Sequence, residues 1–160
     1  MKLLFESTID KPIGPVFDFF EDPANLAVIH AAEPGFWVIR HDGSVHPGCR
    51  TWFGINVAHV LPVVFGFKHT EYSPPHRFVE EMYHGPFSRF VHIHEFEGNG
   101  ERTLIRDILE IELPYYYGGE IVMARAVAPV IKKTFADRAA TLERIKDRIS
   151  DSVIVNTTSR

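Results

Sequence analysis

Between Lys2 and Asp10 the side chains alternate, with Leu3, Phe5, Ser7 and Ile9 on one face and Lys2, Leu4, Glu6, Thr8 and Asp10 on the other. A period of two marks a strand with one buried face. The segment KPIGPVFDFFEDP then sets Val16, Phe17, Phe19 and Phe20 at helical spacing behind Pro15, a residue favoured at the first helical position, and predicts a short helix. Asp22 and Pro23 stop it and supply an N-cap and a first-turn proline for a second short helix, ANLAVIH.

From Phe36 to Ser73 the pattern reads strand, turn, strand: FWVIR, the breaker HDGSVHPG, then TWFGINVAHV and VVFGFKHTEYS separated around Pro62. HRFVEEMYHG and FSRFVHIHEFEGNG add two strands, with Gly85-Pro86 as the turn or bulge between them. Glu97-Gly98-Asn99-Gly100 is a hairpin signal, and RTLIRDILEIELP alternates after it as a last strand ending at Pro114. From about Glu120 to Ile149 a stripe of Ile121, Ala124, Val127, Ile131, Phe135, Leu142, Ile145 and Ile149 predicts one long amphipathic helix. Pro129 lies inside it and removes a backbone hydrogen bond, so a kink, or two helices meeting, is expected there.

This order gives an α+β class: a curved antiparallel sheet of six to seven strands around a long C-terminal helix, with two short helices after the first strand. Strong coiling wraps the sheet around the helix and leaves a space between them unless large side chains fill it. Thirteen phenylalanines suit either an ordinary aromatic core or the lining of such a space.

The 160 residues fit one domain, expected over residues 1–150 with a frayed tail at 151–160. A net charge of −4 offers no basic face for phosphates, so nucleic acid is not an expected partner. No run of about 18 apolar residues occurs, so no membrane span is expected. MKLLFESTID is interrupted by Glu6 and Asp10 before a signal-peptide core forms. Cys49 is the single cysteine, which excludes an internal disulfide and a cysteine-cluster metal site, and a cytoplasmic location is expected. It follows Gly48 in a turn with no positioned base, so a packed thiol is favoured over a nucleophile.

The stretch PPHRFVEEMYHGPFSRFVHIHEFEGNGERTLIRDILEIELP resembles the signature of bacterial ligand-binding proteins in the SRPBCC superfamily, which includes START domains and polyketide cyclases. VFDFFEDPANLAVIH and KKTFADRAATLERI resemble the flanking parts of that pattern, so the likeness covers nearly the whole chain. It implies a helix-grip fold with an internal pocket, whereas the chemistry varies widely on that fold. This chain departs from the pattern at Met82, where the branch often carries glutamine, and at the YYYGG segment, where small residues are usual. Tyr115, Tyr116 and Tyr117 would then stand at the cavity rim or pack the start of the helix.

Chemistry-bearing residues fall on the strands. Phe90, His92, His94 and Phe96 share one face, and on the next strand Thr103, Ile105, Asp107, Leu109, Ile111 and Leu113 form the more apolar, inward set. The resemblance favours Phe78, Glu80 and Met82 as the inward face of the preceding strand. Three readings stay open for a carboxylate near two imidazoles in an apolar shell. It is a mutually satisfied structural cluster, a set of polar groups that orients a mostly apolar ligand, or a catalytic histidine and carboxylate that abstract a proton next to a carbonyl.

The ligand-binding set expected is Trp52, Phe78, Glu80, Met82, Phe90, His92, His94 and Phe135; the candidate catalytic set is His92, His94 and Asp107. Two histidines two apart can both reach one ion, with Glu80 or Asp107 as third ligand, but no metal site is assigned. His30, His41, His46, His59, His69, His76 and His84 show no ligand spacing and are expected mostly at the surface. No phosphate-cradling glycine loop occurs, so no cofactor is expected. The partner expected is a small apolar molecule, a homodimer being left open, and the function that of ligand binding, with a cyclase or dehydrase and then a protein-interaction module as alternatives.

Overall fold

The computed structural model describes residues 1–57 and 61–149. His59 and the tail expected from Asp151 lie outside the described residues. Seven strands, β1 (Lys2–Ile9), β2 (Trp37–His41), β3 (Arg50–Val57), β4 (Leu61–Ser73), β5 (Arg77–His84), β6 (Arg89–Gly98) and β7 (Thr103–Glu112), form one antiparallel sheet. Its order is β1-β7-β6-β5-β4-β3-β2, a meander whose last strand returns to the first. Pro62 does not separate two strands: it lies inside β4, opposite Asn56 of β3, and β5 joins β4 only from the Gly66 and His84 pair onward. The missing N–H of Pro62 therefore falls where β4 is locally an edge. Register shifts on β4 between Gly66 and Phe67 and between His69 and Glu71 mark irregularities of the kind that bend a sheet.

Helix α1 spans Ile13–Glu21, two residues earlier than Pro15 suggested, and Pro15 sits in its first turn, where a missing N–H costs nothing. Asp22 caps the following turn, Pro23–Asn25, by accepting from Ala24 N at 2.9 Å, and α2 (Leu26–Ile29) continues from it. The C-terminal helix begins at Gly118, whose φ of +96° sets the turn out of the Tyr115–Tyr117 segment. It runs through α3 (Gly119–Val122), a π-helical turn at Met123–Val127 and α4 (Ala128–Ile149).

Pro129 follows that π-turn, in which Ala128 N donates to Met123 O. The wider i→i+5 turn redistributes the hydrogen bonds just ahead of a proline that cannot donate one. It also changes the helical phase, so the stripe read from the sequence fails at its start. Ile121 is 66% exposed and Ala124 faces outward, while Met123 is 1% exposed. From Val127 onward the stripe packs as expected, with Ile131 and Phe135 in one apolar cluster and Leu142, Ile145 and Ile149 in the other.

The phenylalanines fill much of the core. Phe17 meets Phe78 and Phe96 edge-on, Phe53 stacks on Phe65 and Phe67, and Phe67 meets Phe90 edge-on. One cluster lies under α1 and the end of α4, and the second, around Leu109, Ile111 and Met123, lies under the π-turn. Between them the sheet carries polar groups.

At the sheet's far edge Trp37 lies flat across Gly54, where an added Cβ would come within 2.2 Å of the indole. Gly54→Ala is expected to lower unfolding free energy by about 1–3 kcal/mol through overpacking. Gly14→Ala, in a helix with open space around the site, should leave stability unchanged or raise it by up to about 1 kcal/mol. Urea denaturation of both variants checks the contrast.

Candidate functional site

Four neighbouring strands each send an inward side chain to the middle of the sheet. Antiparallel register sets His69 opposite Glu80, Glu80 opposite His92, and His94 opposite Asp107. Side chains directly opposite across a ladder share a face, so His69, Glu80, His92, His94 and Asp107 gather into one cluster. His92 Nδ1 lies 3.2 Å from Glu80 Oε1 and its Nε2 lies 3.0 Å from Asp107 Oδ1. His94 Nε2 lies 3.4 Å from the same Glu80 oxygen, and its Nδ1 lies 3.0 Å from Asp107 Oδ1. The two imidazole centroids are 3.7 Å apart, and Phe78 stacks on His94 at 4.2 Å.

From the helix side Arg138 reaches down. Its Nη1 contacts Asp107 Oδ1 at 2.9 Å, the pair is almost wholly buried, and its guanidinium lies against the rings of Phe20 and Phe135. Burial alone would raise the Asp107 carboxyl, but Arg138 and hydrogen bonds from His92 and His94 hold it well below its ordinary 3.8. Burial likewise opposes ionisation of Glu80, and hydrogen bonds from the two histidines outweigh it. For His92 the burial penalty is overcome by the two carboxylates, and its pKa rises above 6.5. His69, whose Nε2 lies 3.5 Å from Thr51 Oγ1, is pushed below 6.5 by burial.

The inward face holds Phe78, Glu80, Phe90, His92, His94 and Asp107 together, and Phe135 closes on His92 edge-on at 5.8 Å. Met82 lies opposite Phe67 on the same face. Trp52 does not. It is paired with Gly66, meets Tyr83 and His84 and takes Arg40 over its ring, which puts it on the outer face while Thr51 and Phe53 point inward. His69 is likewise a correction: it is 3% exposed and belongs to the cluster. His30 is also off the surface, with Nδ1 3.0 Å from Glu33 and its pKa lowered by burial. Arg138 is the residue that sequence reading missed. It lies three positions after Phe135 and four before Leu142, a cation on the apolar stripe, and that was the available signal.

Beyond Ile111 the sheet opens into a cleft of about 670 Å³, between the β5–β6 turn, the end of β7 and the start of the long helix. Phe87, Leu113, Tyr115, Tyr116, Tyr117 and Met123 line it. The tyrosines stand at its mouth, with Tyr115 88% exposed. The apolar cluster of Ile111, Met123, Phe90 and Phe135 connects this cleft to the polar groups. Among the described residues, Glu80, His92 and His94 bring one donor atom each within 4.8 Å of one another, a set able to hold a metal ion.

No family model matches the chain, and no curated protein matches it. Solved structures do. A protein of Thermus thermophilus superposes with a TM-score of 0.70 at 18% identity, covering 95% of this chain and 99% of that one. The Zhui aromatase/cyclase from Streptomyces sp. R1128 gives 0.68 at 11% identity and 99% coverage of both chains. A START superfamily protein from Mycobacterium smegmatis gives 0.62 at 13%, covering 94% and 98%. The chain has the helix-grip α+β fold of these proteins. At these identities the likeness carries the fold alone, so the chemistry of this chain must come from its own residues. No helix among the described residues is long and apolar enough to cross a membrane.

The Arg138 and Asp107 pair ties the long helix to the sheet. Arg138→Met keeps most of the volume but leaves Asp107 buried and underpaired, and is expected to cost about 3–5 kcal/mol. Asp107→Asn with Arg138→Met should recover part of that loss in a double-mutant cycle by urea denaturation. In chelator-treated protein, NMR titration of the imidazole signals should place His92 above 6.5 and His69 and His30 below it. A raised folded pKa stabilises fully below the unfolded value and loses its contribution as pH climbs through the folded one. The stability gap between wild type and His92→Gln should therefore narrow as pH rises beyond 6.5.

Proposed function

We propose that the protein binds a small, mostly apolar molecule between the inner face of the sheet and the long helix, entering through the tyrosine-rimmed cleft. The carrying observation is a pair of buried side-chain nitrogens that lack a hydrogen-bond partner within the chain, His69 Nδ1 and Arg138 Nε, both in one connected cluster. An unsatisfied buried polar atom costs about 1–3 kcal/mol, so two in one place favour a site that takes polar atoms from outside the chain. Rings of Phe78, Phe90 and Phe135 around them suit an apolar body with a few oxygen atoms. Residues 1–150 act in this reading as one ligand-binding domain.

A second reading has a specific observation behind it: Asp107 accepts from His92 at 3.0 Å, the arrangement that orients a catalytic imidazole. It makes the protein a cyclase- or dehydrase-type enzyme with His92 or His94 as base, and one of the proteins with the same fold is described as an aromatase/cyclase. Against it, both nitrogens of His92 are turned toward carboxylates, so neither faces a space where a substrate proton could stand. Ligand binding is the better supported of the two.

Titration with the fluorescent apolar anion 1-anilinonaphthalene-8-sulfonate tests the proposal. Saturable binding near one equivalent is expected, with His69→Gln weakening it by roughly 3- to 10-fold, the worth of one hydrogen bond. The absence of saturable binding to the folded wild type would overturn the reading. Turnover of a poly-β-keto substrate, lost in both His92→Gln and His94→Gln, would favour the enzyme instead.

A further inference from the structure

The tautomers of His92 and His94 pose a problem that the cluster does not solve from its own atoms. All four of their ring nitrogens face carboxylate oxygens, at 3.2 and 3.0 Å for His92 and at 3.4 and 3.0 Å for His94. A neutral imidazole carries one N–H, so two neutral rings supply two protons for these four contacts. Protonating both would set two imidazolium rings at a centroid distance of 3.7 Å, beside the buried Arg138, a crowding of like charge.

The contacts divide by partner. On one side His92 Nε2 and His94 Nδ1 both approach Asp107 Oδ1, which Arg138 also holds. On the other, His92 Nδ1 and His94 Nε2 both approach Glu80 Oε1. Two donor atoms at tetrahedral zinc distances stand about 3.3 Å apart. Glu80 Oε1 lies 3.2 Å from His92 Nδ1 and 3.4 Å from His94 Nε2, and the three donors fall within 4.8 Å of one another. An outer carboxylate that accepts the remaining N–H of each ligating histidine is what fixes their tautomers at metal sites. Asp107 stands in that position for both rings.

We propose that Glu80, His92 and His94 form a binding site for a divalent first-row transition ion of the zinc class, with Asp107 as the outer carboxylate that orients both histidines and Arg138 fixing Asp107. Two imidazoles and a carboxylate suit zinc or iron rather than calcium or magnesium, and three protein ligands leave a position for one further donor. His69 Nε2, 4.0 Å from Glu80 Oε2, is the next nearest group. The site stands independently of the ligand reading above, since it needs no organic molecule in the space under the helix.

The test is calorimetric titration of zinc chloride into chelator-stripped protein without a histidine tag. One equivalent is expected to bind, and zinc should raise the melting temperature in a concentration-dependent way. Glu80→Gln and His94→Gln, each verified as folded by circular dichroism, should lose at least about 30-fold in zinc affinity, and Asp107→Asn about 10- to 100-fold. His84→Gln, on the exposed end of β5, should bind as the wild type does. Should the cluster variants fail to fold, NMR of the wild type decides: zinc must perturb the His92 and His94 ring signals before those of the exposed histidines. Absent one-equivalent binding, affinity unchanged in folded cluster variants, or perturbation of surface histidines alone would each overturn the site. Zinc binding without anilinonaphthalene sulfonate binding would leave the metal site standing and remove the ligand reading.

Discussion

Two carboxylates stand on the inner face of this sheet, and a carboxylate out of water must be paired or neutralised. Asp107 and Glu80 meet that requirement in different ways, and much of the middle of the molecule follows from the difference. Asp107 takes a guanidinium from the helix and two imidazoles from β6 through a single oxygen. Among the described residues Glu80 has no arginine or lysine partner and is held by the histidines. The helix is thus fastened by charge at Asp107, while Glu80 keeps the more open coordination shell.

That fastening depends on helical phase. Arg138 arrives over Asp107 because Phe135 and Leu142, a turn to either side, are seated in the two apolar clusters. Ahead of them the π-turn absorbs the disturbance that Pro129 would otherwise impose, and it is there that the helix borders the cleft through Met123. One irregular turn therefore reconciles a regular helix over the charged cluster with a differently phased wall at the cleft.

Much of this was legible in the sequence. Strict alternation in FSRFVHIHEF and RTLIRDILEIELP placed His92, His94 and Asp107 toward one space, because period-two parity carries across a regular hairpin. Trp52 went to the wrong face because TWFGIN carries aromatic residues at both parities, so hydrophobicity could not choose between Trp52 and Phe53. His69 reads as a surface residue for a related reason: β4 carries register shifts on both sides of it, and parity is not conserved through a shift. Arg138 escaped notice because a stripe defined by apolar residues skips a cation that belongs to it. Helical phase was misread only before Val127, where an i→i+5 turn has no reliable signature in composition.

The cluster draws on β4, β5, β6, β7 and α4, and that span has a kinetic meaning. Lifting α4 away would strip Asp107 of its guanidinium and expose the Phe135 and Leu142 seats together, so the helix has no inexpensive way to peel off in part. Its amides and those of the central strands should then exchange with solvent as one unit. The first turns of the long helix, beside Tyr115, Tyr116 and Tyr117 at the cleft, lie outside that clasp, so their amides should exchange ahead of the unit it holds together.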